Sequence, residues 1–323
     1  YAFFRTPAIP IYNVDGEYTD KPSDNYNGDN LYTNLFGDGY SPVGMLAYNN
    51  NKLISNRLFG KFFIELSPIK NFKFTSNIGV DFTSSNQRRF DRNWGTLNRI
   101  NNPNTLSVAT GRFQTLTFSN FATYAKSFDK HNFTFLLGTE AIKAQRYDVF
   151  ASEKNFPDQS TSLVFLGNGL GQKITDENKS GNSLLSFFGK VNYDYNEKYL
   201  ASATLRRDGS SRFGTDNRWG NFYAGSLGWR IDKESFLTDN ALIDRLLLRF
   251  GYGTIGNQEI GDYPFTDMIN SGYNYPFGNT KSTGAVVTSL GNSKVKWESS
   301  NQLNIGADIE MWNGKFSASL DYF

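Results

Sequence analysis

The chain has 323 residues, 38% hydrophobic and 16% aromatic, with 33 basic against 31 acidic side chains and a net charge of +2. One histidine and no cysteine argue against a disulfide framework and a transition-metal centre, and a near-neutral balance without a basic cluster argues against nucleic acid. No run of about 18 apolar residues exists, which excludes a transmembrane helix. The mean hydropathy of -0.50 leaves a membrane β-barrel open, because alternating residues average it away.

The first 50 or so residues are rich in Tyr, Asn, Asp, Gly and Pro and read as a loop segment leading into a strand at Leu53. The opening YAFFRTPAIP has neither an initiator methionine nor a signal peptide, so the chain is expected to be a piece of something longer. Period-2 runs then follow. Phe72, Phe74, Ile78, Val80 and Phe82 alternate with Lys73, Thr75, Asn77 and Asp81. Leu116, Phe118, Ala122 and Tyr124 do the same, as do Phe133, Phe135 and Leu137. Phe187, Val191, Tyr193 and Tyr195 alternate with Ser186, Lys190, Asn192 and Asp194. At the far end Leu303, Ile305, Ala307, Ile309 and Met311 alternate with Asn304, Gly306, Asp308 and Glu310. About ten strands of roughly 9–14 residues are expected.

Short turns are predicted at Pro68–Asn71, Phe128–His131, Asn196–Lys198 and Asn313–Gly314. Long polar connections are predicted at Ser84–Arg112, Lys143–Asn182, Arg207–Gly220 and Thr254–Lys296. Asp232–Asp244 breaks the rhythm and could hold a helical turn or two capped by Asp239. Short turns at one end and long loops at the other are the habit of outer-membrane barrels. A sandwich uses strands of about 5–6 residues, whereas spanning a bilayer takes about 9–11. Aromatics near strand ends (Tyr193, Tyr195, Tyr199, Trp312, Tyr322) suit an interfacial girdle. The expected fold is all-β: an antiparallel transmembrane β-barrel, with residues 1–323 as part of one barrel domain.

SATLRRDGSSRFGTDNRWGNFYAGSLGWRI at 202–231 resembles SusC/RagA-type TonB-dependent outer-membrane transporters. FFGKVNYDYNEKYL at 187–200, LLLRFGYGTIGNQEIGDY at 246–263 and VKWESSNQLNIGADIEMWNGKFSASLDYF at 295–323 stand in the same order and spacing. Earlier stretches, 5–18 and 56–82, resemble the family too. The likeness implies a 22-stranded barrel with a plug inside it. It also implies a TonB-contacting segment, a SusD-like surface lipoprotein lid, and glycan or peptide cargo in an outer membrane. The plug and TonB box are not in this chain, which is expected to be the middle of the barrel. The other reading of the strands is a soluble or surface-anchored all-β carbohydrate-binding module.

Candidate ligand or lid contacts fall in the long connections: Arg88, Arg92 and Trp94 in QRRFDRNW, Arg212 and Trp219 in the signature, and Tyr263, Tyr273 and Tyr275 in DYPFTDMINSGYNYPFGN. The simpler reading of Arg207–Gly214 is a tight turn at Asp-Gly, with Arg207 or Arg212 paired to Asp208. Gly253–Gln258 lacks the lysine and the helix of a phosphate loop, so its glycines are expected to serve backbone bends. His131 reads as a solvated turn residue. No catalytic residue, metal or cofactor is expected. Lys73, Asp81, Lys190, Asp194, Arg206, Asp308 and Glu310 would face the lumen, hydrating a channel or holding a plug.

Overall fold

The computed structural model describes residues 11, 12, 16, 18, 42–93, 101–237 and 242–323. A helix, α1 (Pro42–Tyr48), leads into β1 (Asn49–Leu66), β2 (Phe72–Asp91), β3 (Thr105–Phe128), β4 (His131–Lys154) and β5 (Lys173–Tyr195). The series continues with β6 (Tyr199–Ser210), β7 (Trp219–Arg230), β8 (Ile243–Asn257), β9 (Met268–Phe277), β10 (Thr280–Ser289), β11 (Glu298–Met311) and β12 (Phe316–Tyr322). Ten strands form one sheet in the order β1-β2-β3-β4-β5-β6-β7-β8-β11-β12, and β9 pairs with β10 in a separate hairpin. Near-neighbour order throughout is the topology of an up-and-down barrel wall.

The four predicted short turns are present. Their left-handed positions fall on Asn71, Asp129, Asn196 with Glu197, and Trp312 with Asn313 and Gly314, all between φ 51° and 75°. Asn and Asp tolerate this region better than most residues, and the Asp194 carboxylate at the end of the preceding strand braces one of these turns by accepting from Glu197 N at 3.0 Å. The Asp232–Asp244 connection holds a short 3-10 turn at Ile231–Lys233, and Asp239 lies outside the described residues.

Two expectations are corrected. The approach to the first strand contains a helical turn, and that strand starts at Asn49 rather than Leu53. The strands next to it are much longer than the apolar alternation: β2 has 20 residues, β3 24, β4 24 and β5 23. Most of the predicted loops Ser84–Arg112 and Lys143–Asn182 are therefore strand, including Gln87–Asp91. The ladder bonds are made by the backbone, so a ribbon can extend through mostly polar side chains with no hydrophobic period.

The chain divides into two compact units. One comprises residues 1–58, 82–113 and 146–179, and the other 59–81, 114–145 and 180–323. In the first unit a small core of Phe90, Leu106, Phe156 and Val164 is almost fully buried. In the second unit the two sheet faces differ in kind. Leu205 pairs with Tyr223, Leu227 with Phe250, and Ile305 with both Phe250 and Tyr322. All of these are exposed, Leu205 to 68%. The Leu303/Ile305/Ile309 row is not tucked under a second sheet. The opposite face carries charge. Arg206 reaches Asp208 at 2.8 Å, Glu140 at 3.4 Å and Ser186 Oγ at 2.9 Å. Arg249 clasps Asp308 through two bonds, at 2.7 and 2.9 Å, and Asp321 at 3.0 Å.

Candidate functional site

In the first unit, Arg88 sits within β2, not in a loop; it donates to the Val164 carbonyl, and its guanidinium lies 5.9 Å from the Phe165 ring centroid. Arg92 follows the end of β2, its carbonyl accepting from Asn101 Nδ2. Trp94 lies outside the described residues. Asn104 is fully buried and closes a two-way bond with Phe156: its Nδ2 donates to the carbonyl at 3.0 Å and its Oδ1 accepts from the amide at 2.7 Å. Glu153, also buried, accepts from Gly167 N and pairs with Lys173 Nζ at 3.2 Å. The bond from Gly167, helped by Lys173, holds the Glu153 carboxyl below the usual glutamate range despite its burial. These bonds tie the 155–172 connection to the strands beside it, and Arg88 is one of its struts.

In the second unit, Phe213 of the signature is fully buried and packs on Trp297 at 5.2 Å, which packs edge-on against Phe222 at 5.3 Å. Trp297 Nε1 donates to the Arg218 carbonyl at 3.0 Å. Gly220 and Gly256 make room for this stack: a Cβ on Gly256 would lie 2.1 Å from Phe222 Cζ. The glycine of GTIGNQ thus serves close approach inside a continuous strand rather than a bend. Arg212 is mostly buried. Its Nε meets Asp262 Oδ1 at 3.3 Å and its Nη1 donates to the Gln258 carbonyl at 2.9 Å, while Asn182 Nδ2 donates to the same Asp262 oxygen at 3.0 Å. The expected pairing of Arg207 or Arg212 with Asp208 is wrong. Asp208 pairs with Arg206, and Asp208-Gly209 lies in β6 rather than in a turn.

The remaining candidates divide between a loop, a hairpin and a strand face. Tyr263, next to Asp262, is exposed and left-handed at φ 59°. Tyr273 and Tyr275 stand on β9, not in a loop; every residue of that hairpin is exposed, and Tyr275 meets Phe277 edge-on at 6.1 Å. Trp219 opens β7 on the apolar face, with Arg207 5.1 Å over its ring and Phe187 stacked at 6.1 Å. The structure thus groups Arg212 with the base of the 258–263 connection and puts Trp219 on the other side of the sheet. Sequence reasoning missed Asp262, Phe213, Trp297, Asn104 and Glu153. Their partners lie tens of residues away, and no local spacing marks them.

His131 is no solvated turn residue. It opens β4 between aromatic rings, 5.2 Å from Phe128 and 4.9 Å from Tyr195, with Nδ1 2.9 Å from Tyr193 Oη.

Trp219 and Trp229 stand at the two ends of β7 on one face, ten residues apart. At about 3.3 Å per residue and a tilt near 40°, that span is about 25 Å high, the height of the lipid-facing band of an outer-membrane barrel. The family model for the "TonB dependent receptor-like, beta-barrel" matches residues 5–323. The chain belongs to this TonB-dependent receptor β-barrel family. It is similar to TonB-dependent receptor P3 of Formosa agariphila, at 29% identity over 100% of this chain and 31% of that protein. It is also similar to TonB-dependent receptor SusC of Bacteroides thetaiotaomicron, at 28% identity over 92% of this chain and 30% of that protein. A solved structure of the RagAB peptide importer in its "open-open" state superposes with a TM-score of 0.81 at 26% identity, over 95% of this chain and 32% of that one. The chain spans about a third of the length of the curated relatives it matches. The SusC/RagA likeness holds, and the exposed apolar face is the lipid side of an outer-membrane β-barrel.

Proposed function

We propose that this chain is part of the barrel wall of a SusC-type importer that takes nutrient oligomers, glycans or peptides, through the outer membrane. Transport is driven by TonB acting on a plug, under a SusD-like lipoprotein lid, and no covalent bond is broken. The observation that carries the membrane half of this reading is the exposed apolar face of β6–β8, β11 and β12, bounded on β7 by Trp219 and Trp229. The opposite face, with Arg206 and Arg249 in carboxylate networks, supplies a polar lining. The family and the RagAB and SusC relatives support the transport half.

Within that reading, the contacts offered to cargo or lid are Arg92, Trp94, Tyr263, Tyr273 and Tyr275. Arg88 and Arg212 each act as a strut of the connection in their own unit, and Trp219 serves the lipid boundary. Mass analysis of material co-purifying with the intact detergent-extracted complex tests this. Bound peptide or oligosaccharide is the expected result. A full-length protein that leaves cells in plain buffer, with no detergent, would overturn the reading and revive the soluble carbohydrate-binding module.

A further inference from the structure

The cations of the second unit differ in their partners. On the polar face and in the connections above it, Arg206, Arg212 and Arg249 each hold a carboxylate. Lys143, Arg207 and Arg218 hold none among the described residues. Lys143 and Arg218 line a groove of about 770 Å³ on the lipid side, together with Leu116, Phe118, Leu185 and Trp219. Arg207 is held at the rim by the Trp219 ring. Hydrogen bonds from Ser183 N to Ser211 Oγ and from Ser211 N to the Ser183 carbonyl brace the lining beside these cations. A mostly apolar groove that carries cations where the strands meet the long connections matches a molecule with an acyl chain and a negative head.

We propose that this groove holds an anionic, phosphate-bearing membrane lipid. Its acyl chain lies on Leu116, Phe118 and Leu185, and its phosphate is shared by Lys143, Arg207 and Arg218. Three unpaired cations at the boundary of an apolar face have two options: water, or a lipid headgroup that neutralises them while the chain fills the groove. Clustering beside a groove favours the second. The inference rests on the membrane location of the wall and is independent of the cargo.

Native mass spectrometry of the full-length protein released from detergent tests it. The protein is titrated with phosphatidylglycerol or with phosphatidylcholine of the same acyl chains. Phosphatidylglycerol should be retained preferentially, and Arg218→Gln alone should lower that preference about fivefold. The triple variant Lys143→Gln/Arg207→Gln/Arg218→Gln should abolish it. A control that removes as much charge elsewhere, Lys281→Gln/Lys294→Gln/Lys315→Gln, should leave it intact. Inorganic phosphate at the lipid's concentration should leave the lipid bound. Equal retention of the two lipids, a preference that survives in the Arg218→Gln and triple variants, an equal loss in the control, or displacement by inorganic phosphate would each overturn the assignment. Failure of these tests leaves cargo co-purification untouched, so the two readings fail separately.

Discussion

The Arg212 guanidinium meets the Asp262 carboxylate at 3.3 Å across 50 residues of sequence, and so ties the β6–β7 connection to the one that follows β8. The same guanidinium caps the Gln258 carbonyl, and Asn182 shares the Asp262 oxygen. A fork with fixed donors suits this job better than a point charge. Arg212→Ala is expected to cost about 1.5–3 kcal/mol, the usual worth of hydrogen bonds to charged groups. Hydrogen exchange should speed up in 211–218 and 258–263, and Arg212→Lys should restore protection only in part. If Arg212→Ala leaves exchange unchanged but weakens cargo binding, Arg212 is a ligand contact after all.

Gly256 faces the Phe222 ring, which stands against Trp297 beneath Phe213. Gly256→Ala places a carbon where no relaxed neighbour can remain. Overpacking of this kind costs about 1–3 kcal/mol. Combining it with Phe222→Leu should recover part of that loss, because the two side chains compete for one volume. A denaturant series on both single variants and the double variant measures the coupling; strict additivity would contradict the close approach.

Lipid-side and channel-side positions on one strand should respond unequally to charge. Leu205 is exposed on the apolar face and pairs with Tyr223, midway between the girdle tryptophans. Leu205→Lys is expected to destabilise by about 2–4 kcal/mol in a bilayer. Ser202, on the other face, is bonded to Ser226 Oγ at 2.7 Å. Ser202→Lys should cost about 0.5–1.5 kcal/mol, one neutral hydrogen bond. Reversible unfolding from vesicles reads both, and equal penalties would refute the assignment of faces.

Glu153 predicts an acid limit for the 155–172 connection. Its carboxyl is held down first by the Gly167 amide and then by Lys173, so the folded form prefers the charged state more than an unfolded chain does. The stabilisation is therefore complete above the ordinary glutamate value of about 4.3 and is lost as pH falls through the lower folded value. Amides of 163–171 should stay protected from neutrality to about pH 4.5 and open below it. Glu153→Gln should show weak protection at every pH; protection that is flat with pH in the native protein would exclude this lock.

The sequence by itself determined the class of the fold, the four tight turns, the unequal ends of the sheet and the two-faced strands. Turn chemistry acts within four residues, and alternation within ten, so both are legible locally. The motifs between Ser202 and Phe323 also pointed to the family that the comparisons identify. Tertiary structure decided where the strands end, because backbone pairing continues into Gln87–Asp91 and Lys173–Asn182 without any apolar period. It also decided what the candidate side chains do. Arg88 and Arg212 become struts and Trp219 turns to lipid, since each role depends on a partner or face set by register across other strands. A residue's neighbours along the chain fix its backbone; its chemistry is fixed by groups that the fold brings from 50 or 80 residues away.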